Sequence, residues 1–365
     1  MKSLRCAWLL TLLLAGPAEA AQPIDWLYEA DVPVANQSAQ ARVDAAAVAV
    51  SQVIARLSGQ STEKVSLAVS GADADRMMTR FSYHSEAVAG QRQQRIRFFF
   101  DAGKVLGLAR QAGLPLWSSV RPEVRLFLLE PAEDGGLVNV LPDSPVAVAL
   151  SRRAWERGLR TAFPEFTAGT VPVEDMLREA SLPPGPAVRP LTVTEDPAND
   201  PLPEPFLPGI VPAPTEVVVV GRLLSVPAGY QVSGEPAFRF AWGEERDVMP
   251  ARGETPEAQA VAFIDALADR LATRMSVAWT QPQPYTLKVR HLRDMAAYAA
   301  LMAYLQGLEY VESVDVAGVV GDDLELTLQT PADAPTLSRL FAYDGLLLPV
   351  ETATLDPESA FTWQG

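Results

Sequence analysis

Three shortages bound what this chain can do before any pattern in it is read. It holds one cysteine, Cys6, and two histidines, His84 and His291, in 365 residues. The histidines lie about two hundred residues apart, with no cysteine or second histidine at ligand spacing, so no zinc site is expected. Each reads as a surface or turn residue. Positive charge is also scarce: 30 Lys and Arg stand against 45 Asp and Glu, a net of −15. A phosphate backbone would meet repulsion, which excludes nucleic acid as a partner, and no basic run suits an anionic membrane surface. Hydrolase and nucleotide signatures are missing as well. There is no Gly-x-Ser-x-Gly elbow and no Gly-x-Gly-x-x-Gly turn, and Gly103-Lys104 lacks both the upstream glycine and the downstream hydroxyl of a phosphate loop. No cofactor and no metal are expected.

What is present begins at the N-terminus. Lys2 and Arg5 precede an apolar run from Ala7 to Ala15, followed by Gly16, Pro17 and the small-x-small triplet Ala18-Glu19-Ala20. This pattern predicts a secretory signal peptide over residues 1–20, with an apolar run too short to span a bilayer. Cleavage removes Lys2, Arg5 and Glu19, a net of +1, and leaves −16. It also removes Cys6, so the mature chain has no disulfide, thiolate nucleophile or cysteine-ligated metal, and no lipid-anchor cysteine follows the triplet. A soluble periplasmic protein with no transmembrane segment is expected.

Beyond the leader, strand and helix signals alternate. Val43, Ala47, Val50, Ile54 and Leu57 share one helical face, and Gly59 stands where a left-handed cap would end the helix. Strands are expected at 26–34, 65–69, 95–101 and 124–129, with a short helix over 72–81 that turns Met78 and Phe81 inward. Ser144-Pro145 and Thr255-Pro256-Glu257 are helix starts, each an N-cap followed by a first-turn proline. Between them lies 183–214, where proline is too dense for a helix or a central strand. Just past it, Val217-Val218-Val219-Val220 reads as a buried strand that needs neighbours from before the prolines. From Tyr285 the order strand, helix, strand, strand, helix, strand is ferredoxin-like, and its first helix sets Met295, Tyr298, Met302 and Leu305 on one side. The expected architecture is α/β and α+β, multidomain. An N-terminal α/β domain over 21–118 is followed by a middle α/β domain over 119–280, with a proline-rich insertion at 183–214, and by a ferredoxin-like domain over 284–365.

Candidates for chemistry are few. Ser61-Thr62-Glu63-Lys64 has serine-lysine nucleophile spacing, but it follows a helix end and lacks the companion motifs, so it reads as coincidence. Asp73 and Asp75 read as first-turn helix residues, and Asp322-Asp323 after Gly321 as a hairpin turn rather than calcium ligands. No catalytic, cofactor-binding or metal residue is assigned.

Several phrases together resemble a bacterial family catalogued as domain of unknown function 2066: LYEADVPVANQS at 27–38, RLSG at 56–59, FFDAGKVLGLARQAGLPLW at 99–117, RPEVRLFLL at 121–129, RGL at 157–159, VVVVGRLL at 217–224 and FIDALADRLATRM at 263–275. The resemblance implies no activity and carries no site residue. The order of elements in the middle region is similar to small periplasmic α/β domains of envelope assembly factors, though without their lipobox cysteine. The expectation is therefore a non-enzymatic envelope binding or assembly module with an envelope protein as partner. The alternative is a periplasmic hydrolase with an acidic or serine site.

Overall fold

A computed structural model of the protein describes residues 24–60, 62, 65, 71–88, 91–131, 137–164, 216–222, 237–242, 245–250, 253–290, 292–350 and 360–365. The signal peptide expected at 1–20, the proline-rich stretch (183–214), Ser61, Lys64 and His291 lie outside the described residues. Within them the chain is a mixed α/β protein with seven helices and four sheets, a multidomain α+β arrangement. No described helix is long and apolar enough to cross a membrane.

The first layer is a three-stranded sheet, β1 (Glu29–Pro33), β3 (Gln91–Phe100) and β2 (Met78–Val88), paired antiparallel in the order β1-β3-β2. Helix α1 (Ala39–Ser58) starts where the Ser38 Oγ accepts from the Ala41 N–H and ends at Gly59 with φ 67°. Its stripe of Ala46, Ala49, Val50, Val53, Ile54 and Leu57 is buried, and helices α2 (Gly71–Met77) and α3 (Ala102–Gln111) complete the layer. Two local expectations differ. The helix stops at Met77, and Phe81 is an exposed residue of β2, because Phe81 and Tyr83 alternate at period two within a strand run. Val65 is helical and buried, whereas residues 66–70 of the strand expected there lie outside the described residues.

The second sheet is ordered β10-β9-β8-β5-β6, with β7 beside β5. Its strands are β5 (Glu123–Pro131), β6 (Leu137–Asn139), β7 (Arg160–Ala162), β8 (Glu216–Arg222), β9 (Ala237–Trp242) and β10 (Glu245–Pro250). The valine strand β8 runs parallel to β5, Val217 opposite Val124 and Val219 opposite Leu126. Both of these valines are fully buried, and the side chains of Val218 and Val220 lie outside the described residues. Helices α4 (Pro145–Arg157) and α5 (Pro256–Met275) belong to the same core, where Phe238 of β9 stacks on Phe263 of α5 at 4.3 Å. The Oγ of Ser144 and the Oγ1 of Thr255 cap α4 and α5 as their sequences require.

Residues before and after the prolines thus share one ladder. Arg160 and Glu216 both lie opposite Glu123, on its two sides, so from the end of β7 at Ala162 the chain must re-enter only roughly 12 Å away, two strand spacings across and two residues back. Deleting 183–214 leaves 165–182 and 215 to cover that gap. Since loop-closure cost changes slowly with length, the urea midpoint of the shortened chain should correspond to a change within about 1 kcal/mol. Loss of the cooperative transition would show that the stretch is part of the fold.

The C-terminal sheet has the order β13-β14-β12-β16-β15, from β12 (Gln283–Arg290), β13 (Ser313–Val320), β14 (Asp323–Thr330), β15 (Leu347–Pro349) and β16 (Ala360–Trp363), with α6 (Met295–Gly307) and α7 (Ala334–Asp344). The ferredoxin-like order β13-β14-β12 is present with one addition: β16, parallel to β12, occupies the place beside it and moves β15 to the outside. The inner residues of α6 are Leu301 and Leu305, whereas Met295 in the first turn is 77% exposed.

Two apolar cores result. One lies in the first layer and ends at Leu116; the other starts at Trp117 and runs continuously through the second and C-terminal sheets. Leu116 and Trp117 form the whole of β4, which pairs with β11 (Ser276–Val277). Successive strand residues face opposite ways, so this two-residue strand gives one side chain to each core.

Candidate functional site

Where the layers meet, two arginines are buried among carbonyl oxygens. Arg56 lies in the last turn of α1, and its Nη1 donates to the carbonyls of Trp26, Leu27 and Glu29 at 3.1, 3.1 and 2.9 Å, while Nε reaches that of Glu156 at 3.2 Å. Its guanidinium lies 4.5 Å from the Trp155 ring and 5.4 Å from that of Trp26, two rings that stack at 5.5 Å. Arg121 donates to the carbonyls of Ser118, Arg157, Gly158 and Arg56 at 2.9–3.2 Å and lies 3.9 Å from the Trp117 ring. Burial pulls the Arg56 guanidinium down to about 10, against the pull of Glu156 and Glu29, and that of Arg121 down to about 9, so both stay charged at neutral pH.

Two glycines make room for this knot. Gly158 ends α4 at φ 74°, and a Cβ there would lie 2.2 Å from the Arg121 Nη1 and 2.6 Å from the Arg56 Cγ. At Gly59, with φ 67°, a Cβ would lie 2.2 Å from the Ala272 Cβ of α5. Both positions need a left-handed backbone and no side chain.

Above the knot opens a polar cleft of about 460 Å³, lined from α1 and the segment after it by Gln52, Gln60 and Thr62, and by charged residues of α4 and α5. Arg153 holds Asp265 through two hydrogen bonds, at 2.8 and 3.0 Å, and Glu156 at 2.8 Å. Arg157 contacts Asp265 at 3.3 Å and also binds Asp269. The charges of the cleft are spent on one another, joining α4 to α5, and as half-exposed pairs they contribute little stability each. The arrangement is a brace between helices.

A third cluster is acidic and almost dry. Asp344, the last residue of α7, is buried and accepts a hydrogen bond from the Tyr304 hydroxyl. Burial pushes its carboxyl up to about 7; the Tyr304 bond opposes this and Glu309 adds to it. Glu309 is itself buried and raised, mainly by burial, although Ser119 hydrogen bonds and Arg121 work against the shift. Its backbone carbonyl takes 2.8 Å from the Arg110 Nη2, and its Oε2 has no hydrogen-bond partner among the described residues. The hydroxyls of Tyr310 and Tyr343 are likewise without partners among the described residues.

The residues singled out in the sequence do not converge. His84 sits on β2 with Nε2 3.2 Å from Asp31 Oδ2. Asp73 lies in α2, and Asp75 faces Arg42 at 4.0 Å. Gly321, with φ 64°, and Asp322 form the turn, as expected of a hairpin, and Asp323 is the first residue of β14. Of the Ser61–Lys64 quartet only Thr62 is described, exposed at the cleft. Lys104 Nζ caps the Arg76 carbonyl at 3.0 Å. Among the described residues no group of three or more His, Cys, Asp and Glu is placed to hold a metal ion.

Sequence reasoning missed the knot. The available signal was an arginine in an alanine- and valine-rich helix with no acid within four residues, so that its partners had to come from elsewhere in the chain. No curated protein and no solved structure is a significant match to the chain. The kind of family implied by the resemblance is supported, although the number 2066 is not. Residues 21–118 match the family model described as Domain of unknown function (DUF8605).

Proposed function

We propose that the chain is an exported module that binds other cell-envelope proteins through its surface rather than performing catalysis. One observation carries this reading. The C-terminal sheet ends on β13, whose Val316, Val319 and Val320 are 47, 67 and 81% exposed. Apolar residues on an open sheet edge are a template for pairing with another chain. The internal pairing of the cleft charges fits the same reading. The compartment is proposed from residues 1–20, and membership of family 2066 over 26–276 from the phrases quoted above. The division at 21–118, 119–280 and 284–365 is part of the proposal and is supported by a family match ending at residue 118.

The test is crosslinking in native cells expressing the full chain. The expected result is a periplasmic product lacking residues 1–20 by mass spectrometry, crosslinked to an envelope protein, with the crosslink lost in a Val316→Asp, Val319→Asp variant that still folds. A cytoplasmic chain of full mass, or crosslinks indifferent to both substitutions, would overturn it.

A further inference from the structure

We propose that β13 is a docking edge for an extended segment of a partner protein in which apolar residues alternate with Lys or Arg, added beyond β13 as a new strand. This rests on the surface-binding reading and names the chemistry of its partner.

The register defines two faces. Val314, Val316 and Val319 lie opposite Leu328, Leu326 and Leu324 of β14, and those three leucines are buried in the core. The three valines therefore stand on the inner, helix-bearing face of the sheet. Val314 packs against the core, but Val316 and Val319 carry that apolar face onto the last strand, where they are exposed to solvent. Among the described residues β14 is the only neighbour of β13, so the other edge of β13 carries backbone groups with no ladder partner. Natural edges are blunted by lysine, proline, shortness or bulges. Over eight residues β13 has neither lysine nor proline, and its one irregularity is a bulge between Val316 and Gly318.

Charge selects the occupant. The outer face of β13 carries Asp315, and Glu325 of β14 lies opposite Gly318, with Lys288 of β12 on its far side. Exposed Glu312 and Asp322 flank the two ends, and β13 itself has no basic residue. A second copy of this strand would bring no basic residue to face Asp315, Glu312 or Asp322, so it offers these acids no complement. A strand with Lys or Arg on its outer face would pair with Asp315 while its inner residues cover Val316 and Val319. Such edge addition draws affinity from main-chain hydrogen bonds and selectivity from alternate side chains. The chain's net charge of −15 adds attraction at long range.

The experiment is hydrogen exchange read by mass spectrometry on the full chain, with two capped nine-residue probes, one alternating valine with lysine and the other valine with glutamate. The lysine peptide should slow exchange of residues 313–320 at least tenfold at low salt and less at high salt, the glutamate peptide should not, and Val319→Asp should abolish the effect. Equal protection by both peptides, or by neither, overturns the proposed chemistry. If the crosslinks of the preceding section still depend on Val316 and Val319, the surface-binding reading survives that failure. Protection that appears without peptide and grows with protein concentration identifies a second copy as the occupant and also overturns the proposal.

Discussion

Replacing Arg121 with leucine is expected to lower the folding free energy by about 3–5 kcal/mol, a large part of what holds a typical domain together. The reason lies in what the guanidinium serves. It satisfies the carbonyls of Ser118, Arg157, Gly158 and Arg56, from the β4 connection, the end of α4 and the end of α1. Leucine would leave these acceptors buried and unmet, at about 1–3 kcal/mol for a fully orphaned group. Lysine would keep the charge but cannot present a planar fork to several carbonyls, so Arg121→Lys should also be severe. Gly158→Ala should approach the same cost by another route, because a Cβ 2.2 Å from the Arg121 Nη1 must displace it, and alanine resists φ 74°. Both substitutions damage one knot, so the double variant should fall well short of additivity. Urea unfolding of these variants beside the unsubstituted chain tests this. A loss below about 1 kcal/mol for Arg121→Lys would show that the knot is not what joins the layers.

Stability should also fall as pH rises from about 4 to 7, and Asp344→Asn should remove most of that fall. An aspartate in the unfolded chain ionises near its ordinary value of 3.8, whereas burial holds Asp344 protonated in the fold up to about 7. Between these values the folded state binds the extra proton. Its contribution is complete below about 4, declines through the window and is gone above about 7. The difference corresponds to about 4 kcal/mol, taken at 1.36 kcal/mol per pH unit. The position explains the direction: the carboxyl ends α7, where the helix dipole disfavours negative charge, and neighbours Glu309 with the buried hydroxyls of Tyr304, Tyr310 and Tyr343. Asparagine keeps an acceptor for the Tyr304 hydroxyl without the charge. At pH 8 the variant should therefore be the more stable protein, and below pH 4 the two should converge, since Glu309 is common to both. Parallel curves across pH 4–8 would show that Asp344 titrates in the fold as it does in the unfolded chain.

These two sites show where the sequence was legible. Helix α1 could be read from its apolar spacing and Gly59 from its place at the end, whereas the Ser38 cap was not read. The neighbour that the valine strand needed is Val124–Leu129, and it was visible as a strand in its own right. Local chemistry decides such features, so local patterns report them. Arg56 and Arg121 differ because their partners are backbone carbonyls, which leave no trace in residue identity. Asp344 looked like an ordinary acid before a capping glycine, and only the tyrosines folded around it make it unusual. Strands β4 and β11 are two residues each, shorter than any period can register, and β16 follows residues 351–359, where no pattern announced a further strand. Met295 was misplaced because its helix is apolar nearly all round, so spacing alone did not choose the inner side.

The pairing of Leu116–Trp117 with Ser276–Val277 also imposes an order of assembly. A chain that emerges from its N-terminus has α1, the first sheet and Leu116 in hand long before Val277 exists. Until then β4 has no ladder partner, Gly59 has no Ala272 to rest against, and Trp117 has no second core to enter. The earliest part of this protein is closed by one of its later parts, across the whole length of the proline-rich stretch. Truncated or stalled chains ending before residue 277 would display an unsealed seam between two half-built cores.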